Sequence, residues 1–187
     1  MTAHKMKEKI KKLLAEKQQV VVAIDGMAAS GKTTAAEQLT EQLGGEVIHM
    51  DDFFLPPEMR TEERLSQPGG NVHYERFMTE VAGNLSEGEP LTYGVFDCSS
   101  MRIVKKEHIE CRGLVIVEGA YALRPEFRHL YDYKVFMKTD AETQMRRILQ
   151  RGGPLKAQAF EEKWIPLEEA YFREMAPAET ADEIIFT

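Results

Sequence analysis

The residues from Gly26 to Thr33 have the types and spacing that bind phosphate groups. They read Gly-Met-Ala-Ala-Ser-Gly-Lys-Thr, which places Lys32 and Thr33 directly after the second glycine, Gly31. Glycines let the backbone turn tightly around phosphate oxygens, and the amides of such a loop form a positive concavity. Lys32 can then reach the β- and γ-phosphates of ATP, and the Thr33 hydroxyl can bind Mg²⁺. We therefore predict a nucleotide site formed by Gly26, Met27, Ala28, Ala29, Ser30, Gly31, Lys32, Thr33 and Thr34.

A carboxylate at Glu118 is the second candidate for metal chemistry. It follows the aliphatic run 114–117 and precedes Gly119, so we expect it at the carboxyl end of a buried strand, level with the phosphate-binding loop. A carboxylate in that place can hold magnesium or the water molecules around it. Thr33 and Glu118 are therefore the predicted metal ligands.

Two carboxylates and two aromatic residues, Asp51 to Phe54, follow one another at the end of a predicted strand. In a phosphoryl-transfer site one carboxylate can accept the proton of the attacking hydroxyl group, and we assign this role to Asp51. Because side chains alternate along a strand, we expect Asp52 to point elsewhere. Phe53 and Phe54 are predicted to form a wall of the acceptor pocket.

Three arginines lie across the end of a predicted helix, at Arg146, Arg147 and Arg151. The guanidinium fork suits phosphate, and the charge on a transferred phosphoryl group needs such cations. We assign Arg146 and Arg151 to catalysis and Arg147 to the nucleotide. The glycines and proline at 152–154 are typical of a hinge, so residues 146–160 are predicted to form a closing lid.

The phosphate acceptor is expected to contact two segments that interrupt the strand and helix pattern, at 55–72 and 93–104. The first is rich in proline, glycine and charged residues, and the second has the pattern of a small hairpin. Long loops inside compact domains usually carry function. Polar side chains in or beside these segments can hydrogen-bond a polyol, and the candidates are His73, Tyr93, Asp97 and Arg102.

The elements that must hold these residues alternate along the chain. Aliphatic runs without polar alternation predict strands that are buried in a parallel sheet. The order of elements predicts an α/β fold of the P-loop NTPase class, a three-layer α/β/α arrangement with a five-stranded parallel sheet and a helical lid. Ligands of such sheets bind beyond the carboxyl ends of the strands. The strands are predicted at 20–24, 46–50, 114–117, 133–137 and 184–186, and the helices at 33–43, 141–150 and 160–175.

The bulk composition excludes several classes of protein. The 187 residues predict a single domain, 1–187, that begins with an amphipathic helix at 1–18. A formal net charge of -7 disfavours a nucleic-acid partner. No apolar run is long enough to cross a bilayer, so we expect no membrane partner. Cys98 and Cys111 form no metal or disulfide pattern, which is typical of a cytoplasmic protein.

These motifs together resemble those of the uridine kinase and phosphoribulokinase family of P-loop kinases. The resemblance covers nearly the whole chain from Val20 onward. Residues 51–54 are similar to the acidic-aromatic motif of nicotinamide riboside kinases in that family, whose first aspartate is the catalytic base. Residues 117–119 resemble the family's magnesium-linked strand end, and Arg146 and Arg151 match the spacing of its lid arginines.

The resemblance implies an ATP-dependent kinase that acts on a hydroxyl group of a small molecule, most readily the 5′-hydroxyl of a nucleoside such as uridine or cytidine. Glycine follows Arg151 where the family has aspartate, and the acceptor-side insertion is short. Other acceptors therefore stay open: nicotinamide riboside, pantothenate, phosphoribulose and glycerate. A regulator that binds nucleotide without turnover is a further alternative, although it would have no use for a base. A homo-oligomer is also left open.

Overall fold

The computed structural model describes residues 2–187, with side chains from Lys5 onward. Five of its strands form a parallel sheet, as the sequence predicted, and two form a separate antiparallel hairpin. In chain order the strands are β1 (Gln19–Gly26), β2 (Glu46–His49), β3 (Leu91–Asp97), β4 (Arg102–Ile109), β5 (Gly113–Glu118), β6 (Tyr133–Lys138) and β7 (Glu183–Phe186). The parallel sheet has the order β2-β5-β1-β6-β7, and β3 pairs with β4.

Helices cover both faces of the sheet, which confirms the three-layer α/β/α class. Along β1, Val20 and Val22 face a core that includes the first two helices, and Val21 faces a second core on the opposite side. The α-helices are α1 (Thr2–Glu16), α2 (Lys32–Leu43), α3 (Glu62–Ser66), α4 (Tyr74–Phe77), α5 (Gly83–Glu87), α6 (Ala141–Ala159), α7 (Ile165–Met175) and α8 (Pro177–Thr180). Met78–Ala82 and Phe160–Trp164 are π-helical, and Met50–Phe53, Pro57–Met59 and Arg128–Leu130 are 3-10 turns.

The register of the sheet brings candidate residues together at one edge. β5 pairs with β1 so that Glu118 lies opposite Ile24, and it pairs with β2 so that Glu118 also lies opposite His49. The loop that follows β1 and the turn that follows β2 therefore flank the carboxyl end of β5. Residues far apart in the sequence meet there because parallel strands end at the same edge.

The loop at 55–72 is tied down by two arginines. Arg64 donates to both carboxylate oxygens of Glu75, at 2.6 and 2.9 Å, and to the carbonyl oxygens of Gly70 and Val72. Although partial burial opposes it, this bidentate contact lowers the pKa of Glu75 to about 2. Arg124 donates to the carbonyl oxygen of Gly69 at 3.0 Å. The segment is therefore an ordered wall that contains the short helix α3.

Helix α6 is longer than predicted but contains a break. Gly153 has φ 73° and ψ 178° inside the helix, a conformation that glycine adopts readily and other residues avoid. Pro154 follows directly and cannot complete the helical hydrogen-bond pattern. The chain then continues through the π-helical turn Phe160–Trp164 into α7, where Pro166 occupies the first turn. A glycine break thus divides the predicted lid segment.

The hairpin and the first helix also differ in extent from the predictions. The hairpin reaches from Leu91 to Ile109 and is longer than the predicted 93–104, with an irregular register between Val95 and Phe96. Helix α1 packs on the sheet through Met6 and Ile10, both fully buried. Within residues 2–187, none of the helices combines the length and the apolar character needed to span a bilayer.

Candidate active site

The loop between β1 and α2 has the tight geometry that phosphate binding needs. Gly26 has φ 137°, and a Cβ atom at this position would lie 2.0 Å from the carbonyl oxygen of Met137. Only glycine fits, because the backbone of Met137 on the neighbouring strand β6 lies directly against this position. Gly31 has φ 91° and immediately precedes the first turn of α2. The residues at this helix end, 31–34, line the cavity, and the free amides of a helix N-terminus can bind an anion.

Lys32 and Ser30 fit a phosphate group in this loop. The Lys32 side chain is buried, and its ammonium group donates to the carbonyl oxygens of Gly26 and Met27 at 2.9 and 2.8 Å. Ser30 is fully buried, and its hydroxyl has no partner among the described residues. A buried hydroxyl without a partner is rare in folded proteins. The Ser30 hydroxyl is therefore an unused donor in the loop where the phosphates of ATP would lie.

Thr33 and Glu118 meet at the end of β5. The Thr33 hydroxyl donates to the Glu118 carboxylate at 3.1 Å, and His49 contacts the same oxygen at 2.6 Å. The bond to Glu118 raises the pKa of His49, although burial opposes the change. No group of three or more His, Cys, Asp or Glu side chains with metal-binding geometry occurs among the described residues. Two hard oxygen donors suit Mg²⁺, which keeps most of its ligands as phosphates and waters.

Asp51 faces a large cavity from the 3-10 turn after β2. The cavity has a volume of about 1010 Å³ and is also lined by Lys32 and Glu118. The surrounding protein reduces the hydration of the Asp51 carboxylate, and this desolvation raises its pKa. The negative charge of Glu118 adds to the rise, while Lys32 and Arg151 oppose it. Asp52 is absent from this wall. Its carboxylate accepts a hydrogen bond from the Tyr93 hydroxyl at 3.2 Å.

The two phenylalanines after Asp52 separate. Phe54 lines the cavity, and its ring centroid lies 6.5 Å from that of Trp164, which lines the same cavity. Phe53 is fully buried, with the rings of Phe77 and Tyr93 both at 5.2 Å. The expectation that Phe53 walls the pocket is therefore corrected: neighbours on a 3-10 turn point in different directions, and Phe53 belongs to the core.

The three arginines of α6 also separate. Arg147 and Arg151 line the cavity, and Arg147 donates to the carbonyl oxygen of Ala29 at 3.1 Å. Arg146 is exposed and donates to the Thr143 hydroxyl at 3.2 Å. Residues four apart share a face of a helix, whereas residues five apart do not. The cavity-facing pair is thus Arg147 with Arg151, which corrects the assignment of Arg146 to the reacting phosphate.

The polar acceptor candidates are spread over several environments. His73 and Arg102 line a smaller cavity of about 290 Å³ that shares Phe54 and Met101 with the large one. Tyr93 is buried and hydrogen-bonds Asp52, so it supports the turn beside the cavity. Asp97 accepts hydrogen bonds from Ser99 and Ser100 in the hairpin turn, and these bonds lower its pKa. Tyr93 and Asp97 therefore do not form the large cavity's wall.

Two buried acids that the sequence analysis did not single out support the loop. Glu168 on α7 lines the cavity and accepts a hydrogen bond from the Ala28 amide at 3.0 Å. Burial raises the pKa of Glu168 to about 7. Asp25 is fully buried and accepts hydrogen bonds from the Leu123 amide at 2.8 Å and the Tyr171 hydroxyl at 2.7 Å. Asp25 thereby joins β1 to α7, and only its position directly before Gly26 could have drawn attention to it.

Further lining residues come from segments without a recognisable motif. They complete the acceptor end of the cavity with polar, sulfur-containing and aromatic side chains. No pattern of spacing connects them, since they meet only in the folded chain. They are Arg60, Asn71, Cys98, Met101, Tyr121, Lys156, Phe160 and Trp164.

Known proteins share this architecture. A solved structure described as a possible uridine kinase from Bacillus stearothermophilus superimposes with a TM-score of 0.68 at 21% identity, over 97% of this chain and 99% of the other. The fold and the phosphate-binding loop are together those of a P-loop kinase. No family model matches the chain.

Sequence relatives narrow this class. A uridine kinase from Geobacillus sp. (strain WCH70) is 30% identical over 146 residues, which cover 72% of this chain and 68% of the relative. One from Limosilactobacillus reuteri (strain DSM 20016) is 28% identical over 148 residues, 72% of this chain and 66% of the relative. The chain belongs to the uridine kinase family. The matched region spans about two thirds of the length of these relatives.

Proposed function

We propose that the protein transfers the γ-phosphoryl group of ATP to a hydroxyl group of a small molecule, with the 5′-hydroxyl of a nucleoside such as uridine or cytidine as the leading acceptor. The observation that carries this proposal is the presence of Asp51 and Lys32 on the wall of one cavity. Transfer of a phosphoryl group to a hydroxyl group needs both a base and a phosphate-binding cation, and these two side chains can supply them.

The roles of the residues follow from their positions. The acceptor oxygen forms a bond to the γ-phosphorus as the bond to the β-γ bridging oxygen breaks, and Asp51 accepts the hydroxyl proton. Its raised pKa makes it a better proton acceptor than an ordinary aspartate. Thr33 and Glu118 would hold Mg²⁺, which neutralises phosphate charge when bound. Arg147 and Arg151 would place positive charge beside the transferred group.

The aromatic wall favours an acceptor with a flat ring. Phe54 and Trp164 present two rings to the cavity, and flat rings stack well on aromatic side chains. The names of the family relatives agree with a nucleoside acceptor. A cytoplasmic location and a homo-oligomer stay predictions from the sequence.

The test is a screen for ADP release with MgATP and single acceptors: uridine, cytidine, nicotinamide riboside, pantothenate, ribulose phosphate and glycerate. We expect acceptor-dependent ADP release with a pyrimidine nucleoside, and a product heavier by one phosphoryl group in mass spectrometry. Tight ATP binding without ADP release for any acceptor would contradict the proposal and favour a nucleotide-binding regulator.

A further inference from the structure

Buried polar atoms without partners gather at the large cavity. Among the described side chains there are three such atoms, Ser30 Oγ, Arg60 Nε and Asn71 Oδ1. All three residues line the large cavity. Buried donors and acceptors are nearly always paired in folded proteins, so orphans that converge on one cavity indicate a ligand. The nucleotide phosphates account for Ser30, whereas Arg60 and Asn71 lie outside the phosphate-binding loop.

Arg60 differs from its neighbour Arg64 in the same segment. Arg64 has both terminal nitrogens on the Glu75 carboxylate. Arg60 is half-buried, and within the described part of the chain its side chain donates only to the sulfur of Met101, at 3.8 Å, which is a weak acceptor. Among the described residues no carboxylate lies within ion-pair distance of Arg60. Its guanidinium group is thus held at the cavity with most of its donors unused.

Arg60 lies on a different part of the wall from the cations of the nucleotide end. The positive charges of Lys32, His49 and Arg151 oppose the rise in the pKa of Asp51. Arg60 affects Cys98 instead: burial and the negative charge of Asp51 raise the pKa of the Cys98 thiol, and the positive charge of Arg60 opposes this rise. Cys98 and Met101 both line the cavity, so Arg60 lies at the part of the wall that the hairpin turn forms.

Asn71 adds an acceptor to the same region. Its side chain is 2% exposed, and its carbonyl oxygen accepts the Leu55 amide at 3.2 Å, which places it beside Phe54. The side chain contacts the Tyr121 hydroxyl, and its own amide oxygen is left over. A hydroxyl group of a sugar ring is a suitable donor for this oxygen.

We propose that Arg60 binds two adjacent hydrogen-bond acceptors on the acceptor molecule, away from the hydroxyl group at Asp51, while Asn71 Oδ1 accepts a hydrogen bond from the same molecule. This inference rests on the proposed function. The planar guanidinium fork fits two acceptors side by side, as on the O2–N3 edge of a cytosine ring or on a carboxylate. Its positive charge disfavours acceptors with a cationic ring, such as nicotinamide riboside.

The test compares Arg60→Ala and Arg60→Lys with the parent and with Arg112→Ala, a control at an exposed residue beside the opposite end of β5. Binding of uridine, cytidine, pantothenate, glycerate and nicotinamide riboside is measured by calorimetry with a non-hydrolysable ATP analogue bound. We expect Arg60→Ala to weaken the best acceptor about 10- to 100-fold, as for hydrogen bonds to a charged group, with unchanged affinity for the analogue. Thermal unfolding checks that the variants fold.

The lysine variant separates the two chemistries. Lysine keeps the charge but lacks the fork, so it should restore much of the affinity for a carboxylate and little of the affinity for the O2–N3 edge of a cytosine ring. If no compound binds the parent more tightly than Arg60→Ala, or if nicotinamide riboside binds best, the assignment of Arg60 is wrong. That outcome is independent of phosphoryl transfer, which the ADP screen measures separately.

Discussion

The nucleotide end and the acceptor end of the cavity are built in opposite ways. The phosphate-binding loop of the nucleotide end is one continuous segment, residues 26–34, fixed by a strand, a helix and the neighbouring strand β6. The acceptor end draws Asp51, Asn71, Cys98 and Trp164 from four separate segments. A continuous segment carries its chemistry in the sequence itself. A site assembled from separate segments can change its ligand without any change to the phosphate chemistry.

Asp51→Asn should have the largest effect on turnover and should leave the nucleotide end intact. The amide keeps the shape but cannot accept the proton, and loss of a general base typically costs about 10²- to 10⁴-fold in kcat. ATP affinity should be unchanged. Asp52→Asn is the matched control, because Asp52 contacts Tyr93 away from the cavity. A larger loss of kcat in Asp52→Asn than in Asp51→Asn would show that Asp51 is not the base.

Lys32→Ala should damage the nucleotide end directly. Removing a cation that compensates charge in the transition state lowers kcat by about 10²- to 10³-fold. We expect weaker ATP binding as well, measured by calorimetry, with unchanged acceptor affinity. Lys12→Ala, at an exposed residue of α1, is the control. Parental kcat in Lys32→Ala would contradict the phosphate assignment of the loop.

Arg151→Ala tests the junction between the two ends. The positive charge of Arg151 opposes the rise in the pKa of Asp51, and Arg151 lies on α6, the helix that also contacts the nucleotide loop. We therefore expect a loss of about 10²-fold in kcat with little change in either KM. Because Arg146 is exposed, the free energy of unfolding of Arg146→Ala should stay within about 0.5 kcal/mol of that of the parent. A change confined to the acceptor KM would instead make Arg151 a ligand of the acceptor.

Glu168→Gln should change stability more than chemistry. The folded-state pKa of Glu168, about 7, lies above its usual value, so the folded state binds the proton more tightly. This contribution is fully present below pH 4.5 and is lost as the pH rises to about 7. Glutamine does not titrate, so the variant does not lose this stability as the pH rises. Between pH 5 and pH 8, its free energy of unfolding should therefore increase by about 1 to 3 kcal/mol relative to that of the parent. Urea unfolding at both pH values measures the difference.

The adjacent Glu169→Gln is the control for this measurement, because Glu169 is exposed on the same helix. Equal pH dependence in Glu168→Gln and the parent would show that the Glu168 carboxyl group titrates normally. The Ala28 amide would then be held by an ordinary, charged carboxylate.

The features that could be predicted from the sequence are those formed by residues that are close together in the chain. The phosphate-binding loop, the five strands and the residue at the end of β5 follow from contiguous patterns. Helical periodicity would have selected Arg147 over Arg146 as the partner of Arg151, because a separation of four residues matches one turn. Phe53 and Phe54 could not be told apart, since the turn after β2 is not a strand and its side chains do not alternate. Arg60 and Asn71 have no motif, and only folding brings them to the cavity.

The glycine break in α6 sets a mechanical limit on what can enter the site. Before the break, Gln144 and Arg147 bind the carbonyl oxygens of Ala28 and Ala29. Beyond it, the chain is fixed again on α7, where Tyr171 is fully buried. The segment from Gly153 to the start of α7 is thus held in place at both of its ends. Such a segment can bend outward, but neither end can move away freely. We therefore expect the length of this segment to limit the size of the acceptor that can bind in the cavity.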